Sequence, residues 1–156
     1  MGSTALLAAW LAQGQPRPAA WLAIWVLAAV AAVGIGTAGA AWKSRRAGLP
    51  LFSGPGRKFM AGFAPAMAAG AVLTGALYHA GLSALLPGVW LLLYGAAVIA
   101  GGSASVKVVP LMGACFMLAG SAALFVRGVS PDVLLAAGFG GLHIVFGTII
   151  TVKYGG

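Results

Sequence analysis

Apolar residues run along the chain in five long blocks, at positions 20–42, 59–80, 89–106, 108–126 and 133–152. Each is close to the length of about 20 residues that crosses ~30 Å of hydrocarbon at ~1.5 Å of rise per residue. The breaks between them carry helix-breaking punctuation: Leu49-Pro50, Ser53-Gly54-Pro55-Gly56, Leu86-Pro87-Gly88, Val109-Pro110 and Ser130-Pro131-Asp132. The third and fourth blocks nearly touch. Lys107 and Pro110 make a poor helix interior and an unbroken helix over both would overshoot a bilayer, so the pattern predicts two spans there. A sixth apolar stretch, 1–12, is too short to span and ends in Gln13-Gly14-Gln15-Pro16. It lacks the polar face of an interfacial helix and reads as the remnant of a truncated first helix. The expectation is an all-α transmembrane bundle, five full spans plus a short N-terminal helix, in one domain covering 1–156.

Composition turns this pattern into an exclusion. With 62% hydrophobic and 6% charged residues and a mean hydropathy of +1.04, the chain cannot coat a water-facing surface. Nine Lys/Arg stand against one acid, Asp132, for a net charge of +8. In a soluble protein that balance would suggest nucleic acid; here it reports topology, and no nucleic-acid partner is expected. Alternate loops collect Lys43, Arg45, Arg46, Arg57, Lys58, Lys107 and Lys153 on one side, and Arg17 and Arg127 on the other. The positive-inside rule places the heavier side, and with it the C-terminus, in the cytoplasm. Trp42, Trp90 and Tyr154 fall near the predicted interfaces, where amphipathic rings are favoured.

A shift of 45 residues matches Pro65 with Pro110, Met67 with Met112, Gly75 with Gly120, Tyr94 with Phe139, Gly95 with Gly140 and Gly102 with Gly147. This suggests a helical-hairpin repeat, 59–107 and 108–153, whose copies share orientation about an axis along the membrane normal. Gly62, Ala66, Gly70 and Thr74 form a small-residue ridge at four-residue spacing, and Gly95/Gly102 and Gly113/Gly120 repeat at seven. Small residues let backbones approach where lipid is as apolar as leucine, so these positions are expected to pack helices, within the bundle first and between copies second.

Chemistry is sparse. Gly34-Ile35-Gly36-Thr37-Ala38-Gly39 matches a dinucleotide fingerprint but lies inside a span with no following acid, and Ser53 to Lys58 lacks the spacing of a phosphate loop. His79 and His143 differ in depth by ~15 Å of helical rise, too far to hold one haem in an upright subunit. Cys115 is read as a packing residue. No Asp or Glu lies within a span, Asp132 being placed in a loop, and no cofactor, metal or enzymatic activity is expected. The one ionisable residue deep in a span is His143, a site candidate by default. Tyr94, Thr74 and Ser121 are its available partners. The basic loop holding Lys43, Arg45, Arg46, Arg57 and Lys58 beside Leu49, Leu51 and Phe52 is a candidate for anionic headgroups or an acidic partner.

Pro87 to Gly95, Ser105 to Gly113, Gly138 to Gly147, the Gly48 to Lys58 loop and Lys153-Tyr154-Gly155-Gly156 resemble a family of small uncharacterised bacterial multi-spanning integral membrane proteins. The resemblance runs from about Trp21 onward. It implies a bacterial cytoplasmic membrane, extra residues before the point matching Met1, and no activity to transfer; gene neighbours of the winged-helix class hint at regulation. Two readings result: a non-enzymatic bundle with a structural, partner-binding or regulatory role, acting alone or as a homo-oligomer, and a transporter or channel for a small neutral or anionic solute. The second needs a mid-depth cavity lined by Tyr94, His143, Ser121 and Thr74.

Overall fold

A computed structural model describes the chain except Ala47, residues 49–53, Ala104, Arg127 and Gly156. Among the described residues the regular structure is entirely helical. In order it comprises α1 (Gly2–Ala12), α2 (Pro18–Arg46), α3 (Gly54–His79), a single 3₁₀ turn (Ser83–Leu85), α4 (Leu86–Gly102), α5 (Val108–Phe125) and α6 (Pro131–Tyr154). Helices α2 to α6 are each long and apolar enough to cross a membrane, and α1 is the short sixth. Large side chains such as Val72, Leu118, Phe125 and Val152 are over 70% exposed, an arrangement that water would oppose and lipid accepts. The chain is a multi-pass membrane protein.

The spans fall where the apolar blocks place them, but their ends differ for one recurring reason. Proline fits the first turn of a helix, where its missing N–H would have no partner anyway. Pro87 and Pro131 therefore open α4 and α6, and Pro110 lies in the first turn of α5, rather than marking the gaps before them. Pro87 and Gly88 are buried inside the bundle. Gly54 to Lys58, placed above in the break between two apolar blocks, forms the first turn of α3. Lys43, Arg45 and Arg46 likewise belong to the last turn of α2, where cations complement the helix dipole. At 29 residues, α2 extends for ~44 Å and carries those cations past the hydrocarbon. The turn residues Leu49, Pro50 and Ser53, the apolar neighbours Leu51 and Phe52, and Arg127 lie outside the described residues.

The centre of the bundle is the α4–α5 pair, and glycine explains its closeness. A Cβ on Gly120 would lie 2.5 Å from the Leu92 amide nitrogen and 2.8 Å from the Gly88 carbonyl oxygen. One turn group away, Gly95 and Gly113 face each other's carbonyls, and Gly102 abuts Val109. The seven-residue spacing thus joins α4 to α5 in antiparallel register, with Gly88 as a third member that the sequence pattern did not single out. On the other side of α4, Gly62 of α3 meets the backbone of Ala100 and Gly101, whereas Gly70 makes an ordinary contact with Leu93. The predicted packing positions in contact therefore meet other helices of the same chain. Ala5, Ala8 and Ala12 bury one face of α1. Its Gly2 and Leu6 close on Gly140 of α6.

Tyr94 and Phe139, matched by the 45-residue shift, meet edge to face at 5.2 Å. Another matched pair is less alike: Pro65 is inside α3, but Pro110 is in the first turn of α5.

Candidate functional site

Two polar centres lie within this framework. The first forms where α6 departs from α-helical geometry. Over Ala136–Leu142 the helix widens to a π segment, a single-turn irregularity that often marks a working part of a helix. Gly138 and Gly140 of this segment are buried, against Leu91 of α4 and Leu6 of α1 respectively. Immediately after it, His143 Nδ1 lies 2.9 Å from the Phe139 carbonyl oxygen. A carbonyl only accepts, so Nδ1 carries the proton and Nε2 is left as an acceptor. The Tyr94 hydroxyl donates to Nε2 at 2.8 Å. Both functions of the neutral imidazole are thereby used.

Aromatic rings close around the pair. Phe116, fully buried, lies 4.9 Å from the Tyr94 ring and 5.2 Å from the His143 ring. Phe139 stacks on His143 at 6.2 Å, and Phe63 meets Tyr94 edge-on. The predicted partners of His143 divide accordingly. Tyr94 is one. Thr74 is engaged elsewhere: its hydroxyl donates to the Gly70 carbonyl and accepts the Trp90 indole N–H at 2.8 Å. Ser121 is half-buried and makes no side-chain hydrogen bond among the described residues. A cavity of about 300 Å³ lies between α4, α5 and α6, with apolar walls including Leu91, Cys115, Ala119 and Leu142, and none of the four borders it.

The second centre corrects the sequence reading. Asp132 is not a loop residue: it occupies the first turn of α6 and is 91% buried. Ser130 caps the helix, its hydroxyl accepting from the Asp132 amide. This is the usual N-terminal satisfaction of an orphan donor, and a carboxylate there also complements the helix dipole. Asp132 Oδ1 accepts two indole N–H groups, from Trp21 at 2.8 Å and Trp25 at 2.9 Å. Positions 21 and 25 share one face of α2 because side chains four residues apart sit above one another. Trp21 also stacks on Trp90 of α4, 5.7 Å between centroids and 11° from parallel. Trp90 is thus turned inward rather than toward the lipid interface. One carboxylate ties α2 to α6, and one indole stack ties α2 to α4.

At the opposite rim, Lys43, Arg45, Arg46, Arg57 and Lys58 are exposed on the turns of α2 and α3 that flank their connection. Arg46 places its guanidinium 4.0 Å over the exposed Trp42 ring. His79 ends α3 and is exposed, away from His143. Among the described residues no three His, Cys, Asp or Glu side chains group together as a metal site would require.

Comparison with known proteins finds no matching family model, no similar curated protein and no similar solved structure.

Proposed function

We propose that this protein is a non-enzymatic helical bundle of the bacterial cytoplasmic membrane, C-terminus inside, with a structural, partner-binding or regulatory role. The observation that carries this reading is the closed state of the Tyr94–His143 pair. An intramembrane histidine that serves a solute path presents a free nitrogen to a cavity, and this one spends both nitrogens on the protein within an aromatic wall. The motif resemblance and the cation bias support the membrane and the orientation. The exposed cations at the ends of α2 and α3 suit anionic headgroups, each worth about 1 kcal/mol near the surface, or an acidic segment of a partner.

The alternative, a transporter or channel for a small neutral or anionic solute, makes the opposite prediction for one variant. On the packing reading, Tyr94→Phe and His143→Ala each lower the unfolding free energy in detergent, Tyr94→Phe by about 1 kcal/mol. The double variant loses less than the sum, because the two residues share a bond. Proteoliposomes of the parent chain then pass glycerol, urea and chloride no faster than empty vesicles. Flux above that background, abolished by His143→Ala at unchanged stability, would overturn the packing reading in favour of transport.

A further inference from the structure

Helices α5 and α6 are each pinned to α4. Gly113 and Gly120 seat α5 on the α4 backbone, and Gly138 seats α6 against Leu91 of the same helix. The rings of Phe116 and Phe139, 5.5 Å apart, join α5 to α6 directly. Among these contacts lies the cavity of about 300 Å³ between the three helices. Leu91 and Gly138, both buried, form its floor, and Ala122 and Ala137, both exposed, form its mouth. It therefore opens sideways, between two spans, onto lipid. The widened turn of α6 supplies Ala137, Gly138 and Leu142 to its walls. With both helices fixed on a third, the gap cannot close by their moving together.

The lining gives the cavity its shape and its chemistry. Cys115 to Ala122 covers ~10 Å along α5, and Leu134 to Leu142 covers ~12 Å along α6. Ala122 is in the last turn of α5 and Leu134 in the first turn of α6. The cavity is thus a slot that runs from the rim at the α5–α6 connection toward mid-depth. Every lining side chain is hydrocarbon apart from Cys115, whose sulfur is a weak hydrogen-bonding partner. Apolar cavities stay dry and take apolar ligands, and a polar solute would lose its hydrogen bonds there. A neighbouring helix, ~10 Å across, is too thick to enter. One side chain is too short to fill the length. Left empty, the slot forfeits the dispersion contacts of its lining.

We propose that this slot binds one hydrocarbon chain of a phospholipid, parallel to α5 and α6, with its headgroup end at the α5–α6 connection and its terminal methyl beside Cys115 and Leu142. The lipid belongs to the leaflet opposite the basic turns of α2 and α3. Because the Tyr94–His143 pair does not border the slot, the site stands or falls independently of the packing reading.

The full chain is reconstituted in phosphatidylcholine nanodiscs doped with phosphatidylcholine that carries a diazirine on one acyl chain, either next to the carboxyl group or at the terminal carbon. After illumination, adducts are mapped by peptide mass spectrometry. Two aliphatic pairs on α6 are compared: half-buried Leu142 with Val145, 54% exposed, and half-buried Leu134 with Val133, 58% exposed. Bulk lipid alone labels the valines more. The expected result is the reverse order, at least threefold in favour of Leu142 with the terminal probe and of Leu134 with the carboxyl-end probe. Ala122→Phe fills the mouth from an exposed position and should remove both excesses at parental melting. Should it fail to fold, Ala137→Phe fills the slot from the other wall. Labelling in the order of exposure, leucines left unlabelled as if a second copy covered the slot, an excess shared equally by the two probes, or an excess retained in a folded variant would each overturn the site.

Discussion

Gly120→Ala should be among the most damaging single-methyl additions this chain can receive. The new carbon would lie 2.5 Å from the Leu92 nitrogen, 2.8 Å from the Gly88 carbonyl and 3.0 Å from the Leu91 carbonyl carbon. All three are backbone atoms of α4, which cannot rotate aside as a side chain tip would, so relief requires the two helices to separate. Overpacking of this kind costs about 1–3 kcal/mol in soluble cores. The upper end of that range is expected here, because separation also disturbs the Gly95–Gly113 contact one repeat away. Gly75→Ala is the control: nothing lies within 4 Å of its Cβ position, and it should melt like the parent. Thermal unfolding in detergent compares the two. Equal midpoints for both variants would mean that α4 and α5 do not meet through glycine.

The second large effect is expected at Asp132. Asp132→Ala removes the acceptor of two indole N–H groups at once. Trp25 is 4% exposed and has no water to turn to, so its donor bears the full penalty of about 1–3 kcal/mol for an unsatisfied buried group. Trp21 is half-buried and recovers part of its loss from solvent. Asp132→Asn restores an oxygen in the same place and should return most of the stability. The contrast between alanine and asparagine, read as unfolding free energy, separates the hydrogen bonds from the charge. If alanine proves as stable as asparagine, the indole bonds contribute nothing measurable and α2 is held by its packing on α1 and the Trp21–Trp90 stack.

How much of this was visible in the chain depends on whether the cue is local. Spans follow from hydropathy over about 20 residues, and they sit where the apolar blocks placed them. Their ends were misjudged wherever Pro or Gly reads equally well as a break or as a first turn, as at Pro87 and Pro131. The Tyr94–His143 bond was legible because a polar group in a span has few candidates to meet. Thr74 was an equally plausible candidate, but a hydroxyl four residues after a carbonyl finds that carbonyl first, as Thr74 does with Gly70. The Asp132 centre was missed because its partners lie 111 and 107 residues away and tryptophan reads as an apolar or interfacial residue. The available cue was Trp21 and Trp25 at i, i+4, two donors on one face facing a protein with a single acid.

The widened turn of α6 also makes the protein sensitive to length. A residue gained between Ala136 and Leu142 still leaves a hydrophobic segment of spanning length. Yet every position beyond the change is turned by about 100° about the helix axis, since 3.6 residues complete a turn. His143 would swing away from Tyr94, and Phe146 out of the core. Point changes on the lipid face are absorbed by lipid, whereas a one-residue insertion here swings the buried face of half a helix by more than a quarter turn. Related chains that share this architecture are therefore expected to keep the residue count across this segment even where its side chains differ.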